Sequence, residues 1–463
     1  MLGIIIKKEM LGNIKSKWFI VVSVVTIMVF FFSALVFVDK YKLEMRDYEE
    51  AHQKNLSGLK ERAENLSFIP YYIQTYQIKP SVNRLLCEGF EKSLPNTFKM
   101  DVFSLQIPEG QRLDNYMLSR FLDIDWTFII NFILSFVALL MTYNSFSAER
   151  EQGTLSLMLA NPVPRSLVLL GKYASAMLTL LVLLSSGAII SVTTVKLLGI
   201  PYQGIPDIKQ MALFLLLSMA FLSAFVLVGM LFSCLISDSS SSMVILILIW
   251  IVLSIIIPSF GRIAAEKTVR VLTRTELERK ILVSSAEIMR TADSFGPGAG
   301  NYDGGPTNPQ ARTRMFNAVT EAKNQIIDDY INRSLLQMRE GRKLTRISPT
   351  SLFQYSAEAL NKTGVKRFEN MFIQLKKYQK KLKNFIVTKD KEDPESMHLL
   401  AEWEGHYMML SQKPVDFDSI PKFEETDMES CVKNTIYNFS LLILWNIILG
   451  FTVYISFRKA DVR

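Results

Sequence analysis

Trp126-Thr-Phe-Ile-Ile-Asn-Phe-Ile-Leu-Ser-Phe-Val-Ala-Leu-Leu-Met-Thr-Tyr-Asn-Ser-Phe146 contains no Asp, Glu, Lys or Arg, and Ser147-Ala-Glu-Arg-Glu151 follows it at once. An uncharged apolar run of roughly 20 residues is long enough to cross a bilayer as a helix. Five other stretches share this character: 18–38, 173–195, 211–236, 243–260 and 434–457. The sequence therefore predicts an all-α polytopic membrane protein with six transmembrane helices. The remainder is charge-rich, which the averages of 49% hydrophobic residues and net charge +8 conceal.

Both ends of the chain are basic. Lys7, Lys8, Lys15 and Lys17 face one acid, Glu9, and the last residues, 458–463, include Arg458, Lys459 and Arg463. An even number of spans and an excess of cations at both ends predict cytoplasmic termini, with loop 147–172 on the same side. Lys196 and Lys209 in the short outer loop 196–210 run against this rule. The first span is too long for a signal-peptide core, and Phe37-Val-Asp39 offers no small-residue cleavage site, so it reads as a retained helix. Residues 1–17 place Leu2, Ile6, Met10 and Ile14 on one helical face, as expected of a helix lying along the interface.

Two outer loops, 39–125 and 261–433, are long enough to form a mainly helical extracytoplasmic module. Residues 41–66 read as a charged helix leaving the membrane, followed by a Pro-punctuated stretch to Pro108. Helical periodicity is expected over 262–292 and 309–344, and from Ser348-Pro-Thr350 to about residue 388 with an interruption near Gly364. Cys87 and Cys431 fall in these loops, where one disulfide and two free thiols are both open.

The sequence is poor in chemistry. It has no G-x-x-x-x-G-K-[ST] to cradle ATP phosphates, no ionisable group within the six spans, no His-Glu-x-x-His, Cys-x-x-Cys or Gly-x-Ser-x-Gly, and no compact basic motif for nucleic acid. The polar residues of the spans, such as Ser223, Thr194 and Asn446, are expected to bond neighbouring helices or their own backbone. His52, His398 and His406 are scattered. A catalytic or metal site is therefore not expected.

Loop 147–172 is the informative remainder. Ser147 is a candidate N-cap, Glu149 and Glu151 lie where the helix dipole favours acids, and Asn161-Pro162 is a stop. The result would be a short surface helix to residue 160 with Glu149, Arg150 and Glu151 as an exposed handle. A connector with no partner would fit the same residues.

Glu149-Arg-Glu-Gln-Gly-Thr-Leu-Ser-Leu-Met-Leu-Ala-Asn-Pro-Val-Pro-Arg165, continuing to Gly171-Lys172, resembles the signature of ABC-2 type permeases, the membrane subunits of a class of ATP-binding-cassette transporters. Ile5-Ile-Lys-Lys-Glu9 is similar to that family's elbow helix, and Ile347 to Gly364 is similar to a segment of a bacterial branch with a large outer insertion. The resemblance implies a coupling helix seated in a separate cytoplasmic ATPase, with Glu149, Arg150, Glu151, Gly153, Thr154 and Leu155 as the contact and Lys7, Lys8 and Glu9 in the elbow. It implies no cofactor in this chain, ATP being held by the partner. The other implied partners are a second permease copy or a sister permease, and the lipid of a bacterial inner membrane. The expected function is export of a bulky or amphipathic substrate. Two alternatives are an ATPase-driven mechanotransmitter acting on an extracytoplasmic protein and an ATP-independent receptor or scaffold. Gly153 is expected to permit close backbone approach, and Arg165 and Lys172 to anchor the loop at the lipid headgroups.

Overall fold

A computed structural model describes residues 2–109, 124–154, 164–200, 206–300, 308–402, 409–426 and 432–459. Leu155, His406 and Cys431 lie outside them. An amphipathic helix, α1 (Leu2–Lys15), leads into α2 (Lys17–Arg62), whose 46 residues form one uninterrupted helix. At 1.5 Å per residue α2 is about 69 Å long, more than twice the ~30 Å hydrocarbon core, so the first span and the predicted charged helix are one rod.

The other spans are α3 (126–142), with a π-helical segment at Ile129–Leu134, α5 (Arg165–Leu197), α6 (Ile208–Leu235), α7 (Ser239–Thr268), with a second π segment at Val252–Ile256, and α12 (Val432–Lys459). Between α3 and α5 lies the five-residue α4 (Ser147–Glu151). Six helices are thus long and apolar enough to cross a membrane. α3 and α6 form the centre, with 67% and 61% of their most apolar windows buried, whereas α7 stands at the edge with 11%.

Helices that share an apolar solvent with lipid associate through close packing and polar contacts rather than through hydrophobic burial. Phe30 of α2 fills the space where Gly187 of α5 has no side chain; a Cβ there would lie 2.4 Å from the ring. Asn446 donates to the Ala220 carbonyl at 3.0 Å, tying α12 to α6, and the Tyr173 and Ser223 hydroxyls meet at 2.7 Å between α5 and α6. Thr193, Thr194 and Ser218 bond their own helix four residues back, as the sequence suggested.

The outer residues form a second core around Leu59 of α2, Ile331 and Leu335 of α9 (Pro309–Thr345), and Phe368, Leu375 and Leu382 of α11 (Val365–Lys391). Asn308 caps α9 by accepting from the amides of Gln310 and Ala311, and Pro309 supplies its first turn. A two-stranded hairpin, β1 (Gln74–Gln77) and β2 (Thr97–Met100), pairs antiparallel within the stretch read as merely Pro-punctuated.

The helix expected over 262–292 is two helices. α7 runs on to Thr268, and Thr273 with Glu276 forms a capping box that starts α8 (Arg274–Arg290) afresh. α10 (Pro349–Asn361), from the stretch expected in the outer module, packs among the spanning helices. Phe353 is fully buried and stacks on Phe221 of α6 at 4.6 Å, and the Asn131 amide of α3 reaches Gln354 at 3.3 Å.

Candidate coupling site

On the side bearing α1, the loop after α3 is fastened to the ends of four other spans. Phe146 is buried with its ring 4.6 Å from that of Phe457 in α12. The backbone amides of Phe146 and Ser147 donate to Ser233 Oγ of α6 at 2.9 and 3.2 Å. Ser147 is not the cap the sequence suggested: Phe146 occupies that position without a side-chain bond, and Ser147 lies inside the helix with its hydroxyl on the Tyr143 carbonyl.

The charged residues of α4 are mostly turned inward. Glu149 accepts from Lys172 Nζ of α5 at 2.7 Å, and the same ammonium reaches Glu9 of α1 at 3.4 Å. Lys172 is only 7% exposed, so it is an internal cation and not a headgroup anchor. Two carboxylates and the Phe146 ring face, at 5.6 Å, surround its ammonium in place of water. Arg150 donates to the Cys234 carbonyl at 3.1 Å and to Ser237 Oγ at 3.3 Å. Glu151 is exposed but accepts from Ser239 N at 2.6 Å and Ser239 Oγ at 3.1 Å, at the N-terminus of α7. Asp238 caps the same helix by accepting from Ser241 N at 2.7 Å, a bond that, with the Ser241 hydroxyl, holds its carboxyl below the ordinary range. Arg165 likewise lies against the Phe457 and Arg458 carbonyls, at 3.4 and 2.9 Å, at the C-terminal end of α12.

Of the handle expected at Glu149, Arg150 and Glu151, the first two are thus bonded inside the molecule; α4 closes at Glu151, and residues 155–160 of the expected helix lie outside the described residues. Gly153 explains the stop. Its φ of +68° is a left-handed conformation that glycine adopts without strain, and its amide closes on the Arg150 carbonyl at 3.1 Å. A Cβ on it would meet nothing within 4 Å among the described residues, so within this chain it is the turn that calls for glycine. The tip from Glu151 to Thr154 is exposed, including Gln152, which sequence reasoning passed over. In α1, Lys7 and Lys8 are exposed while Ile5, Ile6, Glu9 and Met10 turn toward the protein; Leu2 and Ile14, of the apolar face read as interfacial, are exposed.

At the other end of the spans a buried charge network joins the membrane helices to the outer core. Arg84 pairs with Glu44 and Glu88, Lys40 with Glu88 at 2.8 Å, Arg367 with Glu91 at 2.9 Å, and Arg342 with Glu358. Glu358 of α10 also accepts from the Phe90 amide at 3.0 Å, and Asp125, the cap of α3, accepts from the Glu88 amide at 2.8 Å. Burial alone would raise the Glu88 carboxyl, but the Arg84 and Lys40 charges override it and bring it down to about 2. Glu91 goes the other way, because its burial outweighs the nearby Arg367. Cys87, beside this network, is a buried free thiol whose pKa burial pushes up. Among the described residues no three His, Cys, Asp or Glu side chains gather in a way that could hold a metal ion.

The site is mechanical in character. The short loop is bonded or packed to α5, α6, α7 and α12, and through Lys172 to Glu9 of α1, while the charge network links α2 and α10 to the outer core. The family model for ABC-2 family transporter proteins matches residues 4–462. No curated protein matches the sequence.

Proposed function

Because the chain belongs to the ABC-2 transporter family and is a permease of that type, we propose that it is the membrane subunit through which a separate cytoplasmic ATPase drives export of a bulky or amphipathic substrate. The observation that carries this reading is the fastening of α4: one loop with an exposed tip at 151–154 is bonded to Lys172, Ser233, Cys234 and Ser239 on three different spans. A partner seated on the tip moves those spans together. In this reading ATP is bound by the partner, and the chain itself is not catalytic. It works beside a second permease, identical or sister. Both termini and the 147–172 loop face the cytoplasm of a bacterium, and the outer core lies beyond the inner membrane.

The test is co-purification of a P-loop ATPase with this chain from native membranes. Gln152→Arg with Thr154→Arg should abolish co-purification while leaving the thermal stability of the permease unchanged. Retained ATPase would overturn the assignment.

A second reading keeps the ATPase and drops translocation, the outer core acting on an extracytoplasmic protein. The continuity of α2 from one side of the membrane to the outer core favours it, because a rod transmits tilt without loss. ATP-dependent flux of a labelled amphiphile in proteoliposomes would remove it.

A further inference from the structure

The outward face of α11 carries charge of one sign only. Among the residues of Val365–Lys391 the exposed positions are Lys366, Ile373, Lys377, Lys380, Lys381, Lys383, Asn384, Thr388 and Lys391, six lysines and no acid. The opposite face, with Phe368, Leu375, Leu382 and Ile386, is sealed in the outer core. The acids of this helix are withdrawn from the lysine face: Glu369 pairs with Arg339 of α9, and Asp390 is buried, accepting from Ser396, His398 and the Ser411 amide.

Lysines on a solvated helix ordinarily alternate with acids one turn away, which offsets their repulsion. Here Lys377 and Lys381 stand four residues apart and Lys380 and Lys383 three apart, with no carboxylate between them on that face. None of these four forms an ion pair among the described residues, whereas Lys376, at the margin, is neutralised by Asp328 of α9 at 2.6 Å. Like charges stacked on adjacent turns destabilise the helix in isolation, and an external anion would relieve that repulsion.

We propose that this face of α11 binds a linear polyanion bearing phosphate groups. From Lys366 to Lys391 the row extends about 38 Å at 1.5 Å per residue, the scale of an extended polymer and not of a single small ion. The residue type argues the same way. Lysine is a compact point charge on a flexible stem, suited to a repeating phosphate, and protein interfaces are depleted of it and built around apolar anchors. Ile373, 45% exposed, is the lone large apolar group on this face, which disfavours an acidic protein as the occupant. The bilayer is disfavoured by direction. α11 begins beside the charge network, where Arg367 pairs with Glu91, and its later residues Leu375, Leu382 and Ile386 join the core that holds Leu59 of the outer half of α2, so its lysines climb away from the spans. The proposal stands apart from the ATPase assignment, because it concerns the opposite side of the spans.

The experiment uses the full chain in detergent micelles, with inorganic polyphosphate as the probe and poly-aspartate as the competitor class. Wild-type protein should bind polyphosphate with an affinity that falls steeply and linearly in log salt, as counterion release requires. Lys377→Glu, Lys380→Glu, Lys381→Glu and Lys383→Glu together should weaken binding at least tenfold and flatten the salt slope. A control with the same change in net charge elsewhere in the outer core, Lys54→Glu, Lys60→Glu, Arg279→Glu and Lys280→Glu, should retain binding within about twofold. Equal losses in the two variants would show a non-specific response to net charge and overturn the proposal. So would unchanged binding in the first variant, or tighter binding of poly-aspartate than of polyphosphate. Thermal melts of both variants guard against misfolding, and Lys→Gln at the same four α11 positions gives an intermediate loss.

Discussion

Replacing Lys172 by Met keeps nearly the same side-chain volume and removes one charge, which isolates the electrostatic part of the coupling site. The ammonium lies 2.7 Å from Glu149 and 3.4 Å from Glu9. With an effective dielectric of about 20 these separations correspond to gross attractions of about 6 and 5 kcal/mol, most of which only offsets the desolvation of the three charges. Breaking a fully buried pair from one side costs about 3–5 kcal/mol. The Glu149 and Glu9 side chains are 23% and 28% exposed, so water recovers part of that loss. The expected destabilisation is therefore about 2–3 kcal/mol. Glu149→Gln in the Lys172→Met background removes the stranded carboxylate, so the double variant should be more stable than the sum of the singles implies, by about 1–2 kcal/mol. The assay is a double-mutant cycle of unfolding in mixed micelles, followed by tryptophan fluorescence. A loss below about 0.5 kcal/mol for Lys172→Met, the typical size for an exposed residue, would refute the reasoning, as would strict additivity of the cycle. Either result would mean that Lys172 faces lipid headgroups after all.

Three other outcomes are expected. Phe353→Ala should cost about 3–5 kcal/mol by emptying the stack on Phe221, and should loosen α10 from α6 and α12, read as faster amide exchange over 349–361. Gly153→Val should leave the melting temperature nearly unchanged, because nothing crowds that position, yet it should displace the tip, since a β-branched residue resists φ of +68°; loss of ATPase co-purification without loss of fold is the check. The outer core should respond to pH in two opposite senses. The folded pKa of Glu91 is raised, so its contribution is full in acid and is lost as pH rises through that folded value. That of Glu88 is lowered to about 2, so its contribution is present above the ordinary carboxylate range and is lost as pH falls toward 2. Stability against pH should therefore pass through a maximum on the acid side, and Glu91→Gln should flatten its upper limb.

The six spans were legible because each is a local property: a charge-free run needs no knowledge of what it packs against. The helix starts at Asn308 and Ser348 are local in the same way, since the capping oxygen and the amides it satisfies lie within three residues. The place of α10 was not legible. Its polar residues, Glu358 among them, and its Ser-Pro start are those of a soluble helix, and only the meeting of Phe353 with Phe221, more than a hundred positions away, puts it among the spans. For the same reason the loop at 147–154 was found but its bonds to the rest of the chain were not. Glu149 and Arg150 read as an exposed handle because Lys172, Cys234 and Ser237, which occupy them, are near only in three dimensions. Arg84, whose partners Glu44 and Glu88 come from α2 and from its own turn, gave no sequence signal either.

The central claim is that the tip of the loop between the second and third spans receives the ATPase. It is tested most directly by placing a photo-crosslinking amino acid at Thr154 in native membranes and identifying the captured protein by mass spectrometry. The account predicts an adduct with a P-loop ATPase that strengthens when ATP hydrolysis is blocked. Membranes from which the ATPase co-purifies with the unmodified chain, yet which give no ATPase adduct at Thr154 or at Gln152, would contradict it.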